Sequence, residues 1–119
     1  MKNSDFYVLV EKVLDDCVGI MRSKGDVYAG KDQDKFANFN RLAAKLGLNR
    51  VKIWMVYFQK HMDAIESFLR GEYGDPEPIE GRIKDAINYL LILYGMIQED
   101  RPVLTKLIES LEASDEKKV

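Results

Sequence analysis

The sequence predicts an all-α protein: a bundle of four main helices plus a short C-terminal fifth, in one domain spanning 1–119 and self-associating. Three observations lead there. Apolar residues recur at helical spacing through four long segments. Glycines and prolines stand between those segments rather than inside them. No stretch alternates with the period of a strand, and there is no internal repeat or low-complexity tract.

Helix one is expected from Asp5 to Ser23. Phe6, Leu9, Val10, Val13, Leu14, Cys17, Val18 and Met21 form its stripe, Ser4 or Asp5 can cap it, and Gly25 can end it. The crowded segment KGDVYAGKDQDKFANF, Lys24 to Phe39, reads as irregular through Gly30. Helix two is expected from Asp34 to Leu46, capped by Asp32 or Asp34 and stopped by Gly47. Helix three is expected from Asn49 to Gly71. Its stripe is Trp54, Tyr57, Phe58, His61, Met62, Ile65, Phe68 and Leu69, one face of an amphipathic helix. GEYGDPEPIEG is the clearest linker. Helix four is expected from Ile79 to Gln98 and turns apolar nearly all round from Ala86 to Ile97. That pattern suits the centre of a bundle or a surface covered by a second subunit. A last helix is expected from Pro102 to Glu112, with residues 1–4 and 113–119 frayed.

Composition narrows the function. The formal net charge of -2 argues against stable DNA or RNA binding over the whole surface. Charge is nonetheless uneven: Lys31 to Lys60 holds seven Lys and Arg against two Asp, a basic middle suited to a phosphorylated small molecule or to a solvated helix face. A lone cysteine, Cys17, excludes an internal disulfide and a cysteine zinc site, and suits a reducing cytoplasm. The N-terminus lacks the apolar run of a signal peptide, and AINYLLILYGMI is too short to span a bilayer.

No nucleophile motif or P-loop appears. What remains is polar groups where a core prefers carbon. His61 sits mid-stripe, as a bonded core histidine or as a donor to a ligand, with Lys60 beside it. Asp63 and Glu66 share a helix face, as ordinary surface carboxylates or as holders of a divalent cation. Arg82, Asp85 and Asn88 follow at three-residue steps. Asp85 needs a partner there, because an unpaired buried charge is very costly. They read equally as a structural network or as a ligand site. In the crowded segment Lys24, Lys31 and Lys35 can face phosphate. Tyr28 and Phe36 can stack on a base, and the start of helix two near Asp34 can bind an anion. The alternative is an Ω-type loop pinned by its own aromatics.

Three blocks, KGDVYAGKDQDKFANFNRLA, QKHMDAIESF and GRIKDAINYLLIL, resemble a family of small helical proteins of phages and prophages, similar to the nucleotide-modification-associated domain group. The resemblance points to Lys24, Tyr28, Asp34, Phe36, Asn38, Phe39, Lys60, His61, Ile65, Asp85, Asn88 and Tyr89. It implies a cytoplasmic protein of an infected or lysogenic bacterium that binds a nucleotide-like phosphorylated ligand. Its implied role is sequestering a host nucleotide signal, such as a cyclic oligonucleotide or an ADP-ribose derivative. Lys24, Lys60, His61 and Arg82 would meet phosphates, and Asp85 and Asn88 would read the base edge or orient the basic residues. No cofactor is expected under this reading. A weaker resemblance links the chain to MazG-type nucleoside triphosphate pyrophosphohydrolases, which hold Mg²⁺ between carboxylate pairs on two helices. It implies Asp63, Glu66 and Asp85 as metal ligands, with Arg82 standing where a fourth carboxylate belongs. A third reading is a structural or adaptor module that docks another protein through helix four.

Overall fold

The computed structural model describes residues 1–28 and 34–117. Its order is α1 (Asn3–Tyr28), α2 (Ala37–Leu46), α3 (Arg50–Leu69), α4 (Ile79–Asp100) and α5 (Pro102–Lys117), with no strand among the described residues. The all-α architecture is therefore the one the sequence dictates. The chain measures 60 × 48 × 30 Å.

The helix ends follow local chemistry. Gly47 takes a left-handed φ of 66° after α2, which only glycine adopts freely, and the Leu48 N–H returns to the Ala43 carbonyl at 3.0 Å. Asn49 then caps α3, its side chain accepting from the Val51 N–H at 2.9 Å. At the far end Gly71, at φ 75°, completes a Schellman closure in which the Glu72 N–H reaches the Ser67 carbonyl at 2.9 Å. The linker that follows is pinned. Asp75 accepts from the Glu77 N–H at 2.9 Å and from Arg82, whose guanidinium also lies 3.4 Å from Glu77. Phe68 and Tyr73 meet edge to face beneath it.

Several boundaries differ from the sequence expectation. α1 runs through Gly25 to Tyr28, because a single interior glycine costs only about 1 kcal/mol, too little by itself to stop a long helix. α2 starts at Ala37 rather than Asp34. The Asp34 carboxylate accepts from the Phe36 N–H at 2.9 Å and fixes a turn ahead of the helix. α5 continues past Glu112 to Lys117, since ASDEKK holds no glycine or proline to end it, and α1 is already helical at Asn3.

The core lies where α2, α3 and α4 meet. Phe36, Trp54 and Met96 are buried, with Phe39, Phe58, Tyr89, Ile92 and Leu93 packed around them. Trp54 stacks on Phe58 with centroids 4.7 Å apart, and its indole N–H donates to the Tyr89 carbonyl at 2.7 Å. Gly95 admits the Phe36 ring: a Cβ there would stand 3.0 Å from the ring's tip. Arg50 closes the far end of α4, donating to Glu99 (2.8 Å), Asp100 (2.9 Å), the Met96 carbonyl (3.4 Å) and Asn40 (3.2 Å) while lying over Phe36. α1 packs on the first half of α4 through fully buried Cys17, whose thiol faces the Lys84 carbonyl. Its N-terminal half is largely open, with Phe6, Leu9 and Leu14 exposed.

Candidate functional site

Two adjoining features share one residue, Tyr89 of α4. On one side of its ring is a hollow of about 250 Å³ lined by Asn38, Phe39, Arg41 and Leu42 of α2, Tyr57 of α3, and Tyr89 itself. Phe39 meets both tyrosines edge to face, Tyr57 at 6.0 Å and Tyr89 at 6.4 Å between centroids. This T-shaped arrangement suits the ring quadrupoles. Lys60 of α3 holds its ammonium 5.6 Å from the Tyr57 centroid. Arg41 is exposed and forms no ion pair among the described residues.

On the other side lies a polar junction of α1, α3 and α4. His61 leans on Tyr89 at 4.9 Å between centroids. Lys24 pairs with Asp85 at 3.7 Å. Asn88 is buried and donates its amide N–H to the Cys17 carbonyl at 3.0 Å, clipping α4 to α1. Beside it Lys84 and Asp16 pair at 3.1 Å, and with Lys12 they hold the Asp16 carboxyl below the usual range. Buried side-chain atoms without a partner among the described residues are His61 Nδ1, Arg82 Nε and Asn88 Oδ1. Buried polar atoms are normally bonded, so these three are the unsatisfied points of the molecule.

The electrostatics set protonation. Burial, the largest cause, pushes the His61 imidazole below its ordinary 6.5. Asp85 opposes that, while Arg82 and Lys24 reinforce it. Burial likewise raises the Tyr89 phenol, helped by Tyr57 and Asp85. His61 is therefore a neutral donor or acceptor at pH 7. A pH dependence follows. The unfolded chain binds the imidazole proton near pH 6.5, and the folded chain binds it only at lower pH. The stability is full above pH 6.5 and is lost as pH falls through 6.5 toward the folded value. Because His61 is the only histidine, thermal melts between pH 7.5 and 5 should show this decline and a His61→Gln variant should lack it. Equal slopes in both proteins would remove the assignment. Asp16 and Asp75, whose folded carboxyls are held low, act only below their ordinary 3.8.

The sequence-predicted residues divide. Lys24, His61, Arg82, Asp85, Asn88 and Tyr89 gather at the junction, and Asn38 and Lys60 stand at the hollow. Phe36 does not serve as a stacking wall. It is 9% exposed and belongs to the core, because the Asp34 turn drives it inward against Gly95 and Trp54. Asp34 itself bonds the Phe36 N–H and the Asn40 amide. Arg82 is engaged by Asp75 and Glu77 and fastens the linker rather than facing open solvent for a phosphate. Tyr28 closes α1, but its side chain, like Lys31 and Asp32, lies outside the described residues. Asp63 and Glu66 are exposed, and Asp63 accepts from Gln59 at 2.7 Å. Among the described residues no three His, Cys, Asp or Glu come close enough to hold a metal, so Asp63, Glu66 and Asp85 do not form the donor set the MazG resemblance implies.

Sequence reasoning passed over Arg41 and Tyr57 as site residues. Spacing carried the signal: Arg41 is one turn after Asn38, and Tyr57 one turn before Lys60 and His61. No helix among the described residues is long and apolar enough to cross a membrane. Comparison with protein-family models, with curated proteins and with solved structures finds no match.

Proposed function

We propose that this protein binds a nucleotide-like phosphorylated ligand in the hollow between α2, α3 and α4. The observation that carries the reading is the hollow itself. Three aromatic rings from three helices line it, with a guanidinium in its lining and an ammonium over one of its rings. Any base offers a π-face to such rings. At about 250 Å³ the space falls just under the usual range for a whole small-molecule site, so it takes a base and leaves the phosphates outside. Arg41 and Lys60 are the cations placed to meet them, and Arg41 can bond two oxygens at once. Asn38, with two donors and an acceptor, can read the ring edge. Two of the three sequence blocks that resemble the phage family supply Asn38, Phe39, Arg41, Leu42 and Tyr89 to this lining, in keeping with the ligand class that resemblance implies.

The test is a thermal-shift panel of mono-, di- and cyclic nucleotides on the purified protein. Saturation at 100 times Kd should add about 2.7 kcal/mol, a rise in Tm on the order of 10 °C. Arg41→Ala should lose that shift while melting near the parent temperature without ligand, and Tyr57→Ala should lose it at some cost in stability from the missing Phe39 contact. No response to any nucleotide ends the proposal. Recovery of the bound compound unchanged after incubation marks sequestration, and a cleaved product marks hydrolysis.

A further inference from the structure

We infer that the side of α4 formed by Ile83, Ile87, Leu90, Leu91 and Tyr94 is the seat of a second copy of this chain. These positions, at offsets 0, 4, 7, 8 and 11, form one continuous stripe. Tyr89, Leu93 and Met96 occupy another side of α4 and pack into the core with Trp54 of α3. Lys84 and Asn88 occupy a third, against α1. Four of the five are open: Leu90 is 50% and Tyr94 65% exposed, Ile83 and Leu91 are comparably open, and Ile87 between them is half-buried.

The surface area shows how much is left uncovered. The chain exposes 9266 Å². A compact monomer of 13.7 kDa exposes about 6,600 Å², so roughly 2,700 Å² is in excess. The radius of gyration of 18.7 Å agrees, against about 13.5 Å for a compact chain of this length. Obligate homodimers bury about 1,000–2,500 Å² on each partner, so the excess, which also includes the open half of α1 and the exposed Leu107, Ile108 and Leu111 of α5, is large enough to contain one such interface.

The chain cannot supply the cover from its own last helix. α4 ends at Asp100 and α5 begins at Pro102, leaving Arg101 alone as the link. An antiparallel helix pair needs about 2–5 residues in its turn. α1 is already committed to a different side of α4. A lipid surface would need a flanking basic face, and residues 86–97 carry no charge of either sign. That neutrality suits a two-fold contact, in which residues near the axis meet their own copy and a charge there would meet its like.

Sedimentation velocity or light-scattering chromatography of the full chain should give twice the monomer mass at micromolar concentration. Leu90→Glu should weaken association by roughly a hundredfold or more, since the change enters the interface twice. Its helical circular dichroism serves as the check on folding. Cross-linking covers the case in which Leu90→Glu fails to fold. Leu90→Cys or Tyr94→Cys should yield a disulfide-linked dimer under mild oxidation, because the only native cysteine, Cys17, is fully buried. Val56→Cys, equally exposed on α3, should not. A monomer up to about 100 times micromolar concentration overturns the inference. So does an assembly that Leu90→Glu leaves intact, or one cross-linked through Val56→Cys but through neither α4 position.

Discussion

Trp54→Ala is expected to lower the stability by about 3–5 kcal/mol, the usual cost of emptying a buried aromatic site. The indole is 5% exposed, stacks on Phe58 and touches the one place where α2, α3 and α4 meet. Its removal takes away packing and the N–H that the Tyr89 carbonyl accepts. Chemical denaturation of the variant reads the loss directly. Trp54→Phe separates the two contributions: it keeps a ring against Phe58 and omits the donor, and should cost about 1–3 kcal/mol. A loss below about 1 kcal/mol for the alanine variant would show that the α3–α4 seam is not the centre of the fold.

Arg50→Ala is the second large effect, expected at about 2–3 kcal/mol. The guanidinium is 13% exposed, yet Glu99 and Asp100, its partners, are more than half exposed. Ion pairs with such exposed carboxylates are screened and contribute little. The larger part comes from the bonds to the Met96 carbonyl and Asn40, from the stacking on Phe36, and from a cation at the C-terminal end of α4. Glu99→Gln and Asp100→Asn should therefore each cost under about 1 kcal/mol. Arg50→Lys should recover less than half of the loss, because an ammonium keeps the charge and lacks the planar fork. A lysine variant as stable as the parent would place the effect in charge alone.

Much of the fold was legible because the strong signals are local. Gly47, Asn49 and Gly71 act within one turn, and the structure uses each as a stop or a cap. The Trp54-to-Leu69 stripe is a period that needs no partner to be seen. The misses arose where a distant contact outweighs a local preference. Gly25 is the exception, where the roughly 1 kcal/mol cost of one glycine is simply too small to end α1. Phe36 has the look of a ligand wall until the Asp34 turn and the bare Gly95 are placed in space. Arg82 is a free cation in sequence and a bound one beside Asp75. Arg50 was one basic residue among seven, and nothing near it in the chain announces that α4 ends beneath it. The hollow depends on three helices at once, so neither Arg41 nor Tyr57 stands out alone.

Trp54 is the only tryptophan in the chain. Its indole N–H is bonded to the backbone of the residue whose ring walls the hollow. The molecule therefore carries its own fluorophore at the wall of the candidate site. Light absorbed at the red edge is emitted from a single position, so a shift or quench on adding a nucleotide reads Tyr89 and its surroundings without a label.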